Sequence, residues 1–112
     1  MNREEAIRVL GEVYSACSKV FPCEIHDAYL YGSFARGDYH EDSDVDIFLT
    51  LDMDWEELAK CRPAAAHIAR ELGLRYDTPV SISLNPLKLF VQYADDLPFY
   101  RIIRAEGVRY VA

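Results

Sequence analysis

The segment of residues 44–51, DVDIFLTL, most restricts the folds open to this chain, because its apolar side chains recur at every second position. That period of two is typical of a β-strand with one face in a core. The apolar set consists of Val45, Ile47, Leu49 and Leu51. Burial of this set also fixes the opposite set, which begins with Asp44 and Asp46. The two carboxylates are then expected on one face of the strand, about 7 Å apart at Cα.

Helical and strand-like patterns alternate over the rest of the chain. Gly73 is predicted to cap a helix, and Pro63 to kink or interrupt that helix because proline lacks a backbone donor. The predicted helices are 2–21, 55–72, 87–94 and 98–106, and the further strands are 28–31, 80–84 and a short closing strand at 108–111. This order predicts a small α/β (α+β) fold with helices flanking a sheet, as one domain over residues 1–112.

The balance of charge argues against one class of partner. The chain has 19 acidic and 12 basic residues, a formal net charge of −7. Tight binding to nucleic acid needs clustered Lys and Arg and is therefore not expected. The N-terminal MNREEAIRVL has no signal-peptide core, and no run of about 18 uncharged apolar residues occurs. We therefore expect a cytoplasmic protein that does not enter a membrane.

A glycine and a serine follow the first predicted strand directly. Gly32 and Ser33 leave that strand and enter a predicted helical turn. Backbone N–H groups at the start of a helix suit a phosphate, and glycine lets a ligand approach the backbone closely. Taken alone, a Gly-Ser pair is weak evidence for such a site, and a plain turn or N-cap explains it more simply.

The two aspartates admit two interpretations. Neighbouring carboxylates repel each other and cost stability unless a cation joins them. Mg²⁺ and Mn²⁺ accept one or two protein carboxylates and leave other positions for water and substrate phosphate. The alternative is that Asp44 and Asp46 lie solvated at an exposed strand end.

Residues 31–47 closely resemble the signature of the DNA polymerase β-like nucleotidyltransferases. The shared pattern is Gly-Ser, ten residues and Asp-x-Asp, with Ala-Arg-Gly at 35–37 and Ser-Asp at 43–44. The small minimal nucleotidyltransferases (MNT) of toxin–antitoxin systems resemble the chain most, and a looser similarity extends to residues 98–107.

The resemblance implies a mixed sheet with helices packed on it, and transfer of a nucleoside monophosphate from an NTP, most simply ATP, to an acceptor hydroxyl. Carried over by position, Gly32 and Ser33 would contact the phosphates. Asp44 and Asp46 would be the catalytic residues that bind Mg²⁺, as two ions in the family, with Mn²⁺ as a substitute. Arg36 would neutralise phosphate charge, although an exposed arginine at a helix end fits that position equally well.

One part of the family pattern is missing. Active members usually take a third carboxylate from the next core strand, but the strand at 80–84 offers Ser81 and Ser83 instead. Asp77 precedes this strand and is a possible third metal ligand. The missing acid leaves open whether the acceptor hydroxyl can be activated.

The resemblance also implies a protein partner. MNT proteins are commonly paired with a HEPN-domain toxin, which they bind and adenylylate on a tyrosine. A chain of 112 residues is expected to leave no room for a separate acceptor-binding domain, so a homo- or hetero-oligomer is possible. The alternatives are a catalytically weak antitoxin that neutralises its HEPN partner by binding, and an unpartnered enzyme for small molecules.

Overall fold

The structure, a computed structural model, describes residues 1–111 and confirms the mixed α/β architecture. Within these residues no helix has the length and apolar character needed to cross a membrane. The helices are α1 (Arg3–Val20), α2 (Ser33–Arg36), α3 (Trp55–Tyr76), α4 (Leu87–Tyr93) and α5 (Pro98–Glu106). The strands are β1 (Ile25–Tyr31), β2 (Val45–Leu51), β3 (Val80–Pro86) and β4 (Val108–Arg109).

The strands form one mixed sheet in the order β3-β2-β1-β4. β2 runs antiparallel to β1 and parallel to β3, and β4 pairs antiparallel with β1. The strand that follows the Gly-Ser turn in sequence is therefore an inner strand. Pairing with β1 on one side and with β3 on the other fixes the position of β2 in the sheet.

Both faces of β2 are covered, which the alternating sequence did not reveal. On one face Val45, Ile47 and Leu49 are fully buried in the main core with residues of α1 and α3. On the other face Phe48 is also fully buried, among Phe90 of α4 and residues of α5. The period of two therefore separates two buried faces, and only the start of the strand reaches solvent.

The helix ends follow their capping residues, with one error in the sequence prediction. The side chain of Asn2 accepts a hydrogen bond from the Glu5 N–H and completes a capping box at the start of α1. The prediction that Gly73 caps α3 is wrong, because that helix continues to Tyr76. Asp77 ends it in the left-handed conformation, and its N–H donates to the Gly73 carbonyl.

The predicted interruption at Pro63 is also wrong, because α3 runs through this residue. Proline removes one hydrogen bond of the helix, while burial of Cys61 and Ala65 on either side of it maintains the packing.

A buried carboxylate ties three strands together. Asp27 on β1 accepts hydrogen bonds from the Thr50 hydroxyl on β2 at 2.8 Å and from the Arg109 guanidinium on β4 at 3.1 Å. The sequence prediction began β1 at residue 28 and so missed this part of the strand. The closing strand is shorter than predicted, Val108–Arg109, although the Tyr110 N–H still donates to the Ala28 carbonyl.

Candidate active site

The predicted turn lies between β1 and α2. Gly32 has φ +77°, a conformation that residues with a Cβ rarely adopt. Its carbonyl accepts the N–H groups of Ala35 and Arg36, both at 3.1 Å, so the chain turns into a helix immediately. The N–H groups of Ser33 and Phe34 stand in the first helical turn, where the helix itself offers no acceptor. Phe34 is buried and Ser33 half-buried, so the turn presents the Ser33 N–H next to a residue without a side chain.

This turn lies against the second predicted element of the site. Tyr31 pairs in register with Asp46 across the β1–β2 ladder, so Gly32 lies just beyond that pair. A Cβ built on Gly32 would be only 2.5 Å from the Asp46 Oδ2 atom. The structure thus brings the Gly-Ser turn and the Asp-x-Asp strand into contact. Glycine is required here both by its φ and by the nearby carboxylate.

The two aspartates differ in their surroundings. Asp44 precedes β2 and is exposed, whereas Asp46 is on the strand and half-buried. Burial and the neighbouring negative charge of Asp44 raise the pKa of Asp46, and the Arg36 guanidinium acts in the opposite direction. A half-buried carboxylate beside a second carboxylate is a costly arrangement without a cation. The oxygen donors and their mutual repulsion fit a divalent cation such as Mg²⁺.

Arg36 lies at the border of this site. Its side chain is exposed, its Nε is 3.2 Å from Asp38 Oδ2, and its Nη1 is 4.0 Å from Glu106 Oε2. Exposed ion pairs of this kind are weak. The weak pair with Asp38 leaves the Arg36 guanidinium free to contact a phosphate group instead. The role of Arg36 in phosphate binding stays a prediction.

Ser43 stabilises the loop directly before Asp44, a role that the sequence analysis did not assign. This serine is buried, and its hydroxyl accepts a hydrogen bond from the His40 N–H at 2.9 Å. The Ser43 N–H donates in turn to the His40 carbonyl at 3.0 Å. The only available signal was the Ser-Asp pair within the family signature. The two bonds close a tight turn directly before the first aspartate.

Three aromatic side chains, those of Tyr31, Phe48 and Phe99, form a wall on the same face of the sheet as Asp46. Tyr31 meets Phe99 edge to face, with ring centroids 5.6 Å apart, and also contacts Phe48. Phe99 remains 42% exposed, so part of this wall is open to a ligand. Burial and the Asp46 charge raise the pKa of Tyr31.

A serine lies beside Asp46 on the neighbouring strand β3. Ser81 pairs in register with Asp46 across the parallel β2–β3 ladder, and the two side chains therefore share a face. Asp77 is exposed at the end of α3. Within residues 1–111 no three His, Cys, Asp or Glu side chains form a potential metal site. The structure therefore does not bring Asp77 together with Asp44 and Asp46 as a third ligand.

Comparison with protein families decides the affiliation. A family model described as a nucleotidyltransferase domain matches residues 10–108, which include the Gly32 turn and both aspartates. The chain belongs to this family. The match confirms the resemblance found in the sequence, and it makes this protein a nucleotidyltransferase.

Individual relatives agree with that affiliation. A Methanocaldococcus jannaschii protein named "Putative protein adenylyltransferase MJ0604" is 30% identical over 107 residues, 96% of each chain. A Sulfolobus solfataricus structure described as a "putative nucleotidyltransferase" superimposes with a TM-score of 0.59 at 21% identity, covering 96% of this chain and 83% of that one. A toxin–antitoxin structure with AMP-PNP gives 0.54 at 19%, covering 97% and 72%. The two structural matches confirm the nucleotidyltransferase fold.

Substitution of Gly32 should damage the site through two effects that can be separated. Gly32 combines φ +77° with ψ −155°, a conformation essentially restricted to glycine, so we expect Gly32→Ala to cost about 1–3 kcal/mol and also to push the Asp46 carboxylate away. Gly37→Ala is the matched control, because Gly37 has φ +89° but no atom within 4 Å of a built Cβ. Gly37 is in the left-handed region, with ψ 4°, whereas Gly32 has ψ −155° and a close carboxylate, so Gly32→Ala should lose more stability than Gly37→Ala in thermal unfolding. Only Gly32→Ala should lose binding of ATP with Mg²⁺. Equal loss of binding in both variants would contradict the contact argument.

Removal of the Asp46 charge should stabilise the protein when no divalent cation is present. Because its pKa is raised above 3.8, the ionised carboxyl costs stability as pH rises through the raised pKa. Asp46→Asn should therefore raise the unfolding temperature at pH 7 in EDTA, by a few degrees at most, and the gain should shrink toward pH 3.

The control for this experiment is Asp44→Asn, which should gain less because Asp44 is exposed. A lower melting temperature for Asp46→Asn under the same conditions would show that the carboxylate stabilises the protein by itself.

Proposed function

We propose that this nucleotidyltransferase transfers AMP from ATP to a hydroxyl group of a partner protein, with Mg²⁺ as cofactor. The observation that carries the proposal is the close approach of Gly32 to the Asp46 carboxylate. That approach joins a turn suited to phosphate with a carboxylate pair suited to a cation. The name of the M. jannaschii relative, a protein adenylyltransferase, supports AMP and a protein acceptor.

Each residue has a role in this reaction. The N–H group of Ser33 would bind the triphosphate, with Gly32 giving it access to the backbone, and Arg36 would neutralise part of its charge. Asp44 and Asp46 would hold Mg²⁺. When bound, Mg²⁺ neutralises charge on the phosphates and aligns the attacking and leaving oxygens. The acceptor oxygen bonds to the α-phosphorus, the bond to pyrophosphate breaks, and the hydroxyl proton passes to solvent.

The partner in this proposal is a HEPN-domain toxin, and the acceptor is one of its tyrosine hydroxyls. The resemblance to MNT antitoxins in the Gly-Ser and Asp-x-Asp pattern supports this partner. The similarity to a toxin–antitoxin structure with AMP-PNP is in line with it. The chain would then act as an antitoxin that modifies its toxin.

One observation favours a second function, neutralisation of the toxin by binding alone. Ser81 stands in register with Asp46, where a carboxylate would complete the site. A serine hydroxyl is a weaker ligand for Mg²⁺ than a carboxylate and a poor proton acceptor. With two carboxylates the site could bind a nucleotide and still transfer it slowly.

Label transfer separates the two functions. We expect α-phosphate-labelled ATP with Mg²⁺ to label the co-purified partner, and Asp44→Asn/Asp46→Asn to reduce labelling at least 100-fold while the complex stays intact. The carboxylates hold the cation that transfer needs, which explains the size of the loss. Labelling that persists in the double variant would refute the role of Asp44 and Asp46. An intact, inhibited complex that no labelled nucleotide modifies would establish the binding function.

Restoration of the missing carboxylate should increase transfer. Ser81→Asp places an acid in the same cross-strand row as Asp46, and we expect a transfer rate at least tenfold higher at saturating Mg²⁺. Ser83→Asp is the control, since Ser83 pairs with Phe48 and lies one row further along the strand. Initial rates of label transfer provide the measurement, with thermal unfolding to verify folding. A larger increase of the transfer rate in Ser83→Asp than in Ser81→Asp would mean that the position for the third carboxylate is Ser83 and not Ser81.

A further inference from the structure

Most of one edge of the sheet lacks the features that protect edge strands. β3 has β2 on one side and no strand on the other among residues 1–111. Its register with β2 is unbroken from Val80 to Pro86. Pro86 protects the end of the strand, but residues 80–85 before it contain no charge and no proline. Natural edge strands are usually short, bulged, charged or interrupted by proline. The opposite edge, β4, has only two residues. β3 is therefore the edge that is able to pair with another chain.

The backbone groups on this edge can be assigned from the ladder. The Val45 N–H donates to the Pro79 carbonyl at 2.9 Å. Because bonding alternates along a parallel strand, residues 79, 81, 83 and 85 face β2. Val80, Ile82 and Leu84 then direct their N–H and C=O groups away from the sheet. Three donors and three acceptors are thus available at the spacing of a strand.

A groove runs along this edge beneath α3. It has a volume of about 630 Å³, and every residue in 80–85 lines it, as expected for a strand approached from its side. The helix contributes small side chains to the groove wall, among them Ala66 and Ala69. Trp55, which is 47% exposed, also lines it. The groove therefore has room for one extended polypeptide.

The charge of the groove selects the kind of polypeptide. Its charged lining residues are Arg62 and Arg70, and neither forms an ion pair within residues 1–111. A second copy paired through the same edge would place its own Arg62 and Arg70 near the first pair, and the like charges would repel each other. A partner segment with acidic side chains fits the groove better.

The β3 edge also lies one strand away from Asp46 of the candidate active site. Ser81 pairs with Asp46 across the β2–β3 ladder. A residue opposite Ser81 on an added strand would therefore line up with Ser81 and Asp46 across the sheet, about 4.8 Å beyond β3. Ser81 is small and leaves the path toward Asp46 open. A tyrosine at that position would extend its hydroxyl over Ser81 toward the site.

We propose that the β3 edge binds an extended, acidic segment of the acceptor protein by strand addition and directs its hydroxyl toward Asp46. The role given to the hydroxyl rests on the proposed transfer of AMP, whereas the docking does not. Backbone pairing would supply affinity, and Arg62 and Arg70 would select acidic side chains. A domain of this size would in this way bind its acceptor with no additional domain.

The first test uses a synthetic peptide as the probe. A fluorescein-labelled nonapeptide would alternate glutamate with threonine and carry one central tyrosine on the threonine face. Two further versions carry N-methyl groups on one or the other alternate set of amides. Strand addition uses one set only, so we expect one version to bind at least tenfold more weakly in fluorescence anisotropy and the other to bind unchanged. Equal weakening by both versions, or no binding of the unmethylated peptide, would overturn the proposal.

Variants of the protein test the same edge from the other side. Ile82→Pro removes an outward N–H that the sheet does not use, and Ile82→Ala is the control that keeps it. We expect at least tenfold weaker peptide binding in Ile82→Pro than in Ile82→Ala. Arg62→Gln/Arg70→Gln should weaken binding more than Arg3→Gln/Lys60→Gln, which removes two charges outside the groove. Thermal unfolding verifies folding, and the methylated peptides do not depend on any variant.

Further outcomes separate this proposal from the transfer reaction. Selective peptide binding without label transfer from ATP would support docking and contradict the transfer. Label transfer to the partner that is equal in Ile82→Pro and wild type would overturn docking and leave the transfer intact. A wild-type dimer in size-exclusion chromatography that Ile82→Pro dissociates would also overturn the proposal, because the edge would then bind a second copy.

Discussion

The candidate site depends on the antiparallel pairing of β1 with β2. That pairing sets Tyr31 opposite Asp46 and brings Gly32, the next residue, against the Asp46 carboxylate. The β1 strand supplies the turn suited to phosphate, and β2 supplies the acids. A slip of one residue in this register would turn Asp46 into the core and Ile47 toward solvent. The buried residues on both faces of β2 prevent such a slip, so the packing of the sheet also determines the geometry of the site.

The same packing accounts for the electrostatic character of the site. An inner strand carries Asp46 into partial burial beside Asp44, and this raises the pKa of Asp46. The protein thus maintains an unfavourable charge arrangement at the point where a cation and a triphosphate would relieve it. Local conflict of this type is characteristic of functional sites. On the neighbouring strand β3, Ser81 adds no further negative charge and leaves space beside Asp46.

Specific elements show where sequence reasoning succeeded and where it failed. The strand 44–51 and the Gly32 turn were predicted because their patterns are local, arising from alternation and from a glycine after an apolar run. The helix end at Gly73 was predicted wrongly, because the Tyr76 hydroxyl bonds to Glu12 on α1 and contacts of that kind hold the last turn of α3. The start of β1 was missed because His26 and Asp27 are polar, and Asp27 is buried only through bonds to distant strands.

The sequence by itself determined the residues of the candidate site and their order along the chain, because Gly-Ser and Asp-x-Asp are short motifs next to recognisable strands. Only the tertiary structure decided which of these residues meet. It set Gly32 against Asp46, placed Ser81 in the same row, and left Asp77 at the end of α3. It also left one side of β3 open and set two arginines beside it. Strand order and register arise from contacts between residues far apart in the chain, and no local pattern encodes them.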